Sequence, residues 1–283
     1  MSGEGKIEEL MGGLTFPEGP RWRDGKLWFS DFFSHRVYTV DLDGRSETVV
    51  EVPQRPSGLG WTPGGNLLIV SMLDRCLMEL EGDRLRLVAD LSGFATGPCN
   101  DMVVDAAGRA YVGNFGYDRH SGEAERSAQL VRVDPDGTAS LAADELMFPN
   151  GAVITPDGKT MVIAETFANR LTAFDIAGDG ALENRRVWAE LGEIHPDGIC
   201  LDAEGAIWAA SPWSNQVARV FEGGRIERSI STGERGAFAC MLGGDDRRTL
   251  FICTNTGSGP AMAEKKEGRI EIVRVEVPGA GLP

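Results

Sequence analysis

The sequence lacks a long hydrophobic run, whereas about 18 consecutive apolar residues are needed for a membrane-spanning helix. Cysteine is scarce: the five cysteines are an odd number without a CxxC pair, which argues against a disulfide framework or a structural zinc site. Positive charge is also scarce, because 28 lysines and arginines oppose 43 aspartates and glutamates, for a net charge of −15. We therefore expect no nucleic-acid or membrane partner, since a phosphate backbone or an anionic membrane would repel the chain.

The N-terminal segment lacks the basic stretch followed by an apolar stretch that is typical of a secretion signal. We therefore expect a cytoplasmic protein. Its expected partner is a small-molecule substrate, and its expected oligomeric state is a monomer or a weak homo-oligomer.

Glycine and proline are abundant, with 37 and 14 residues, and they punctuate an internal repeat. The repeat consists of two short apolar strands joined by a tight turn, as in FPNGAVITPDGKTMVIAET at residues 148–166. Successive copies begin 39, 43, 50, 47 and 42 residues apart. The first residues of the six copies are Glu18, Ser57, Asn100, Asn150, Asp197 and Ala239. Strand repeats of this length predict an all-β fold, a six-bladed β-propeller of four-stranded antiparallel blades.

The copies cover the chain almost from end to end, without a linker, so we expect one propeller domain over residues 1–283. The segment KIEELM at residues 6–11 is the one strand-like piece left over. We predict that it completes the sheet of the last blade, which would join the two termini and cover an exposed strand edge. The longest insertion, at residues 116–128 in blade three, is of the kind that often forms a lid or a specificity element.

The first residues of the repeats form the main candidate site. The innermost strands of a propeller surround its axis, so two carboxylates (Glu18 and Asp197) and two carboxamides (Asn100 and Asn150) should converge there. Close buried carboxylates repel each other, and a bound cation would remove that cost. These hard oxygen ligands carry a charge of −2, which favours Ca²⁺, with Mg²⁺, Mn²⁺ or Zn²⁺ as alternatives. The plainer interpretation is that each residue forms a turn, since Asn-Gly and Asp-Gly are common turn dipeptides, but the shared register favours the cation.

Three motifs carry a resemblance to a known family: FPEGPRW at 16–22, PNGAVITPDGKTMVIAET at 149–166 and HPDGICLDAEGAIWAA at 195–210. Over nearly its whole length the chain resembles the gluconolactonase, regucalcin and luciferin-regenerating-enzyme family. The resemblance implies a six-bladed propeller with one divalent metal ion in the central channel, and hydrolysis, most often of lactones. It also implies Glu18, Asn150 and Asp197 as direct metal ligands, with Asn100 as a fourth ligand or a substrate contact.

Two departures from the family pattern bear on the substrate. Sugar-lactone-hydrolysing members have an arginine in an Arg-x-Asn-Asp segment of blade three, where this chain has Pro98. Blade four ends in Ala164-Glu165-Thr166, where many relatives have an aspartate. Because the expected rim is also rich in aromatic residues, we expect a lactone less polar than an aldonolactone. The expected substrate contacts are Asn100, Phe115, Phe148, Glu165, Trp213 and Phe238.

The expected activity is that of a metal-dependent lactonase or esterase, with Asp197 as the catalytic residue. Asp197 could take a proton from water as a general base or attack the substrate directly, and the sequence is compatible with both roles. Three alternatives share parts of the pattern. These are a phosphotriester or organofluorophosphate hydrolase, a non-catalytic calcium-binding regulatory protein, and a metal-free condensing enzyme on a similar propeller. The two facing carboxylates argue against the metal-free alternative.

Overall fold

The computed structural model describes residues 5–118 and 121–281. Within these residues, 24 strands form six four-stranded antiparallel sheets. The innermost strands of neighbouring sheets contact one another in a closed ring. The predicted six-bladed β-propeller is therefore confirmed.

Each blade runs outward from the axis through four strands, numbered here in chain order. Blade one contains β2 (Pro17–Arg23), β3 (Lys26–Asp31), β4 (Arg36–Val40) and β5 (Ser46–Glu51). Blade two contains β6 (Pro56–Trp61), β7 (Leu67–Ser71), β8 (Cys76–Glu81) and β9 (Arg84–Asp90). Blade three contains β10 (Cys99–Val104), β11 (Ala110–Asn114), β12 (Ala128–Val133) and β13 (Ala139–Leu146). Blade four contains β14 (Pro149–Ile154), β15 (Thr160–Glu165), β16 (Arg170–Ile176) and β17 (Leu182–Glu190). Blade five contains β18 (Ile199–Leu201), β19 (Ile207–Ser211), β20 (Gln216–Val220) and β21 (Ile226–Ser231). Blade six contains β22 (Gly236–Gly243), β23 (Thr249–Asn255), β24 (Gly268–Arg274) and, as its outermost strand, β1 (Glu8–Leu14). The helical segments are two 3₁₀ helices, Phe32–Ser34 and Thr166–Ala168, and α1 (Met262–Lys265).

The N-terminal strand closes the ring. β1 pairs antiparallel with β24, with Glu8 opposite Ile272 and Glu9 opposite Glu271. The prediction that the N-terminal segment completes the last blade is confirmed, although the strand spans Glu8–Leu14 rather than residues 6–11. Pairing with β1 leaves β24 an inner strand of its sheet rather than an exposed edge.

The hydrophobic core lies between adjacent blades. One buried cluster joins Leu27 and Phe29 of blade one to Phe251 of blade six, and Trp22 stacks on Phe251 with 5.2 Å between ring centroids. The second strand β7 is buried along its whole length because both of its faces pack against other blades, and second strands such as β3 and β15 are mostly buried. Outermost strands such as β5 are largely exposed, which explains their polar sequences.

The innermost strands are irregular at the repeat position that was predicted to face the axis. The pairing register shifts between Glu18 and Arg21 in β2, and between Pro149 and Ala152 in β14. Similar shifts occur in β6, β10 and β22. Since a bulge redirects the side chains around it, these irregularities help to turn the repeat-start residues toward the axis.

The glycines that follow these residues are explained by packing rather than by turns. The interpretation of Asn150-Gly151 as a turn dipeptide is wrong, because both residues lie inside β14. A Cβ atom on Gly151 would lie 2.5 Å from the backbone nitrogen of Ile199 in the next blade, so only glycine permits this close approach.

The insertion at residues 116–128 includes residues 119 and 120, which lie outside the described residues. In its described part, Arg126 Nε donates a hydrogen bond to the carbonyl oxygen of Gly116 at 2.7 Å. A lid role for this loop stays a prediction. No helix in the described parts of the chain combines the length and the apolar composition needed to cross a membrane.

Candidate functional site

A cavity of about 270 Å³ opens where the innermost strands begin at the propeller axis. Its lining includes Glu18 of β2, Asn100 of β10, Asn150 of β14 and Asp197, which precedes β18. All four side chains are buried. The structure therefore brings together the four residues predicted to form the metal site, and we refer to them as the floor of the cavity.

The floor carries concentrated negative charge. Burial and, next in size, the charge of Asp197 hold the pKa of Glu18 well above its ordinary value of 4.5. A hydrogen bond from the Gly19 N–H to Glu18 Oε2, at 3.0 Å, opposes this shift but is outweighed. Arg21 opposes it more weakly, and its guanidinium is bound to Asp101 at 2.7 Å. Two ionised carboxylates are therefore disfavoured here unless a cation joins them.

A chain of hydrogen bonds crosses the floor from blade two to blade five. Ser57 Oγ donates to Asn100 Oδ1 at 3.3 Å, and Asn100 Nδ2 donates to Asn150 Oδ1 at 3.0 Å. Asn150 Nδ2 donates to Thr166 Oγ1 at 3.2 Å, and Thr166 Oγ1 donates to the Pro196 carbonyl oxygen at 2.7 Å. Each amide therefore has a defined orientation, and each amide oxygen keeps a second lone pair for another partner.

The donor set of the floor fits a hard divalent cation. Glu18 and Asp197 supply carboxylate oxygens, while Asn100 and Asn150 supply amide oxygens, the ligand types that calcium prefers. Within residues 5–118 and 121–281, there is no group of three or more His, Cys, Asp or Glu side chains that could hold a metal. A metal site here would depend on the mixed carboxylate and carboxamide set, which suits calcium better than zinc.

Aromatic rings form a large part of the walls above the floor, beside polar residues such as Asn215 and Ser258. Phe115 stacks on Phe148 with 4.7 Å between ring centroids, and Phe16 meets Phe238 edge to face at 4.7 Å. Trp213 lies at the rim and is half exposed. The four aromatic residues predicted as substrate contacts, Phe115, Phe148, Trp213 and Phe238, thus all line the cavity.

The structure does not bring Glu165 into this cavity. Its Oε1 accepts hydrogen bonds from Arg170 Nε at 2.9 Å and Thr172 Oγ1 at 2.5 Å, and its Oε2 accepts one from the Met147 N–H at 2.8 Å. Burial alone would raise the pKa of Glu165, but these hydrogen bonds bring it below its ordinary value. The expected substrate contact at Glu165 is therefore not supported, because its carboxylate is committed to structure, and its neighbour Thr166 lines the cavity instead.

Arg55 also lines the cavity, and the sequence reasoning missed it. It stands two residues before Ser57, the repeat position that Phe16 and Phe148 occupy in blades one and four. All three side chains reach the cavity. The repeat register was thus an available signal for Arg55.

The fold and the floor define a six-bladed propeller with a polar axial site beneath aromatic walls. Residues 16–256 match the family model described as the SMP-30/gluconolactonase/LRE-like region. The chain belongs to this family, and the resemblance inferred from its motifs is confirmed.

Individual relatives are similar over most of their length. The 6-deoxy-6-sulfogluconolactonase of Pseudomonas putida is 26% identical over 275 residues, covering 94% of this chain and 93% of the relative. A pentonolactonase of Haloferax volcanii is 28% identical over 291 residues, covering 94% and 92%. Both relatives are named as lactonases, which supports a hydrolase.

A solved structure shows the same fold. The structure of regucalcin from Agrobacterium tumefaciens, described as a calcium-binding protein, superposes with a TM-score of 0.82 at 21% identity. The match covers 99% of this chain and 96% of the regucalcin chain.

Proposed function

We propose that this protein is a divalent-metal-dependent lactonase whose substrate is a lactone less polar than an aldonolactone. The observation that carries this proposal is the convergence of Glu18, Asn100, Asn150 and Asp197 beneath aromatic walls. Membership of a family whose curated relatives include lactonases supports the type of reaction.

The four floor residues would hold the metal ion, and calcium is the ion that we propose. When bound, such an ion supplies Lewis-acid polarisation of a carbonyl group and lowers the pKa of a water molecule. The similarity to regucalcin, a structure described as a calcium-binding protein, supports this choice.

The residues of the chain have separate roles in this proposal. Asp197 accepts a proton from the attacking water, whose oxygen adds to the carbonyl carbon of the lactone. The bond from that carbon to the ring oxygen then breaks, and the proton returns to the ring oxygen to give a hydroxy acid. The Asn100 amide is held by Ser57 and Asn150, so it can orient the substrate without reorganising.

The cavity walls are the basis for proposing a less polar lactone. The relatives named above are a sulfogluconolactonase and a pentonolactonase. In this chain Phe115, Phe148 and Phe238 contribute rings to the walls, which also include polar residues such as Asn215 and Ser258. An apolar or aromatic substituent would bury surface against these rings.

A proton-release assay over a panel of lactones tests the proposal. Sugar, aliphatic and aromatic lactones and one phosphotriester are offered to metal-stripped protein, with and without added Ca²⁺ or Mn²⁺. We expect metal-restored acid release from the aromatic or aliphatic lactones and slower release from gluconolactone. Acid release from the phosphotriester alone would identify the protein as a phosphotriester hydrolase. No acid release from any compound, together with intact calcium binding, would favour a regulatory role.

A further inference from the structure

Arg55 supplies the cavity with positive charge from blade two. Of the side chains that line the cavity in the described residues, it is the one lysine or arginine. Its guanidinium lies over the ring of Phe33, with Cζ 4.6 Å from the ring centroid. Stacking on a ring face leaves the edge of a guanidinium, where its N–H groups point outward, open to a ligand.

The backbone at Arg55 is held in an unfavourable conformation. Its φ of 73° is in the left-handed region, although it is not glycine and it precedes Pro56. Two hydrogen bonds fix this conformation: the Arg55 N–H donates to the Val52 carbonyl oxygen at 3.0 Å, and the Met72 N–H donates to the Arg55 carbonyl oxygen at 2.8 Å. Glycine would adopt this backbone at lower cost, so the local fold does not explain why arginine stands here.

The guanidinium of Arg55 has no anionic partner among the described residues. Within residues 5–118 and 121–281, Arg55 forms no ion pair within 4.0 Å, and its buried Nε has no hydrogen-bond partner. Burial lowers the pKa of Arg55, while the charge of Asp118 acts in the opposite direction. A buried donor without a partner costs free energy that a bound oxyanion would recover.

Among the described residues, the charges that line the cavity favour an anion beside Arg55. The floor holds the carboxylates of Glu18 and Asp197, and Glu234 adds an exposed carboxylate to the lining. An anionic group would be repelled by these three residues but attracted by Arg55.

We propose that Arg55 binds an oxyanion of the substrate, a carboxylate or a sulfonate, so that the preferred lactone carries one anionic group on a body that is less hydroxylated and more apolar than that of an aldonolactone. The lactone part rests on the proposed function, whereas the anion site does not. The anionic group lies against Arg55, the apolar body lies along the aromatic walls, and the reactive carbonyl faces the floor. Two parallel N–H to oxygen bonds from the guanidinium hold the anion in this orientation.

A binding measurement tests the anion site without any turnover. Isothermal calorimetry compares benzenesulfonate with neutral benzenesulfonamide, two probes of similar shape. The wild-type protein should bind the sulfonate about tenfold more tightly. Arg55→Gly, which relieves the left-handed strain, should lose this preference without a lower melting temperature, and Arg55→Lys should keep part of it because the charge remains without the planar fork.

Arg247→Gly is the matched control. Arg247 is also a left-handed arginine, with a φ of 56°, but it is exposed in the turn between β22 and β23 and does not line the cavity. Its substitution should leave the preference for the sulfonate intact. Equal binding of both probes by the wild-type protein, no binding of the sulfonate, or a preference that survives in Arg55→Gly would each overturn the anion site.

A hydrolysis measurement separates this inference from the proposed function. A lactone that carries a carboxylate is compared with its methyl ester, and the ratio of their kcat/KM values should fall about tenfold in Arg55→Gly. Hydrolysis of both lactones with an unchanged ratio would overturn the role of Arg55 but not the lactonase. Retained Arg55-dependent sulfonate binding without hydrolysis of any lactone would overturn the lactonase but not the anion site.

Discussion

Arg21 Nη2 donates a hydrogen bond to Asp101 Oδ1 at 2.7 Å, and both side chains are buried. Arg21 belongs to β2 and Asp101 to β10, so the ion pair connects blades one and three past blade two. The same Nη2 also donates to the Met102 carbonyl oxygen at 2.7 Å, and Nη1 donates to the Pro20 carbonyl oxygen at 2.9 Å. The ion pair therefore ties together two innermost strands that carry floor residues.

Breaking this ion pair from one side should strongly destabilise the protein. Arg21→Met leaves the Asp101 carboxylate buried without its partner, and we expect a loss of about 3–5 kcal/mol in the free energy of unfolding. The double variant Arg21→Met/Asp101→Leu should recover most of this loss, because no lone charge remains. Urea unfolding measures both effects, and Arg23→Met serves as the control, since the exposed pair of Arg23 and Asp24 should contribute about 1 kcal/mol or less. A double variant no more stable than Arg21→Met would contradict this account.

The architecture and the floor were predictable because repeat length and register are properties of the sequence. Equivalent residues of successive repeats must approach the propeller axis, so Glu18, Asn150 and Asp197 could be placed together without coordinates. The role of Gly151 was not predictable, since a turn and a close contact between blades both favour glycine after asparagine.

The direction of individual side chains was harder to predict than the fold. Glu165 is the last residue of β15 and its carboxylate is bound by Arg170, whereas Thr166 is the first residue of the following 3₁₀ helix and its side chain reaches the cavity. The backbone changes direction between these two residues, so the strand pattern alone does not indicate which of them enters the site. Arg55 could have been placed in the cavity from the repeat register that it shares with Phe148, although its left-handed backbone is not a conformation that arginine favours.

The raised pKa of Glu18 predicts a pH dependence of stability in metal-free protein. The native state binds a proton at Glu18 more tightly than the unfolded chain does, because of burial and the charge of Asp197. The free energy of unfolding should therefore fall as the pH rises above 4.5, until the raised pKa of the native state is passed. Added Ca²⁺ should oppose the fall by binding the ionised form.

Glu18→Gln isolates this effect from the general repulsion among the acidic residues. The substitution should remove the contribution of Glu18 to the pH dependence of the free energy of unfolding. Metal-free Glu18→Gln should therefore become more stable than the wild-type protein as the pH rises. Urea unfolding in chelator over a pH series provides the measurement, with Glu47→Gln as an exposed control. Parallel stability curves for the wild-type protein and Glu18→Gln would show that Glu18 keeps an ordinary pKa.

Substitution of Asp197 should abolish both metal binding and activity. Asp197→Ala removes one of the two floor carboxylates and the proposed proton acceptor, so we expect no saturable Ca²⁺ binding by calorimetry. Lactone hydrolysis should fall by about 10²–10⁴-fold. Asp136→Ala, in an exposed turn, is the control and should change neither readout. Unchanged calcium binding in Asp197→Ala would remove Asp197 from the metal site.

Isotope labelling distinguishes the two roles of Asp197 that the sequence left open. If Asp197 is a general base, it removes a proton from water and the water oxygen adds to the lactone carbonyl, so a single turnover in ¹⁸O-labelled water labels the hydroxy acid. As a nucleophile, Asp197 forms a mixed anhydride with the acyl group of the lactone; water that then attacks the Asp197 carboxyl carbon breaks the anhydride, labels the Asp197 side chain and leaves the first-turnover product unlabelled. Mass spectrometry of the product and of the peptide that contains Asp197 separates these outcomes, and we expect label in the product alone.

The stacked pair of Phe115 and Phe148 should set the preference for apolar lactones. Phe115→Ala removes a ring that lies 4.7 Å from that of Phe148, and with it much of the apolar surface offered to the substrate. We expect kcat/KM for an aromatic lactone to fall about tenfold, which corresponds to the loss of one aromatic contact, while kcat/KM for gluconolactone changes less than about threefold. Phe221→Ala is the control, because Phe221 stacks under Arg225 at 4.0 Å outside the cavity. If both lactones lost activity equally, the ring would support the floor rather than select the substrate, and the preference for a less polar lactone would lose its structural basis.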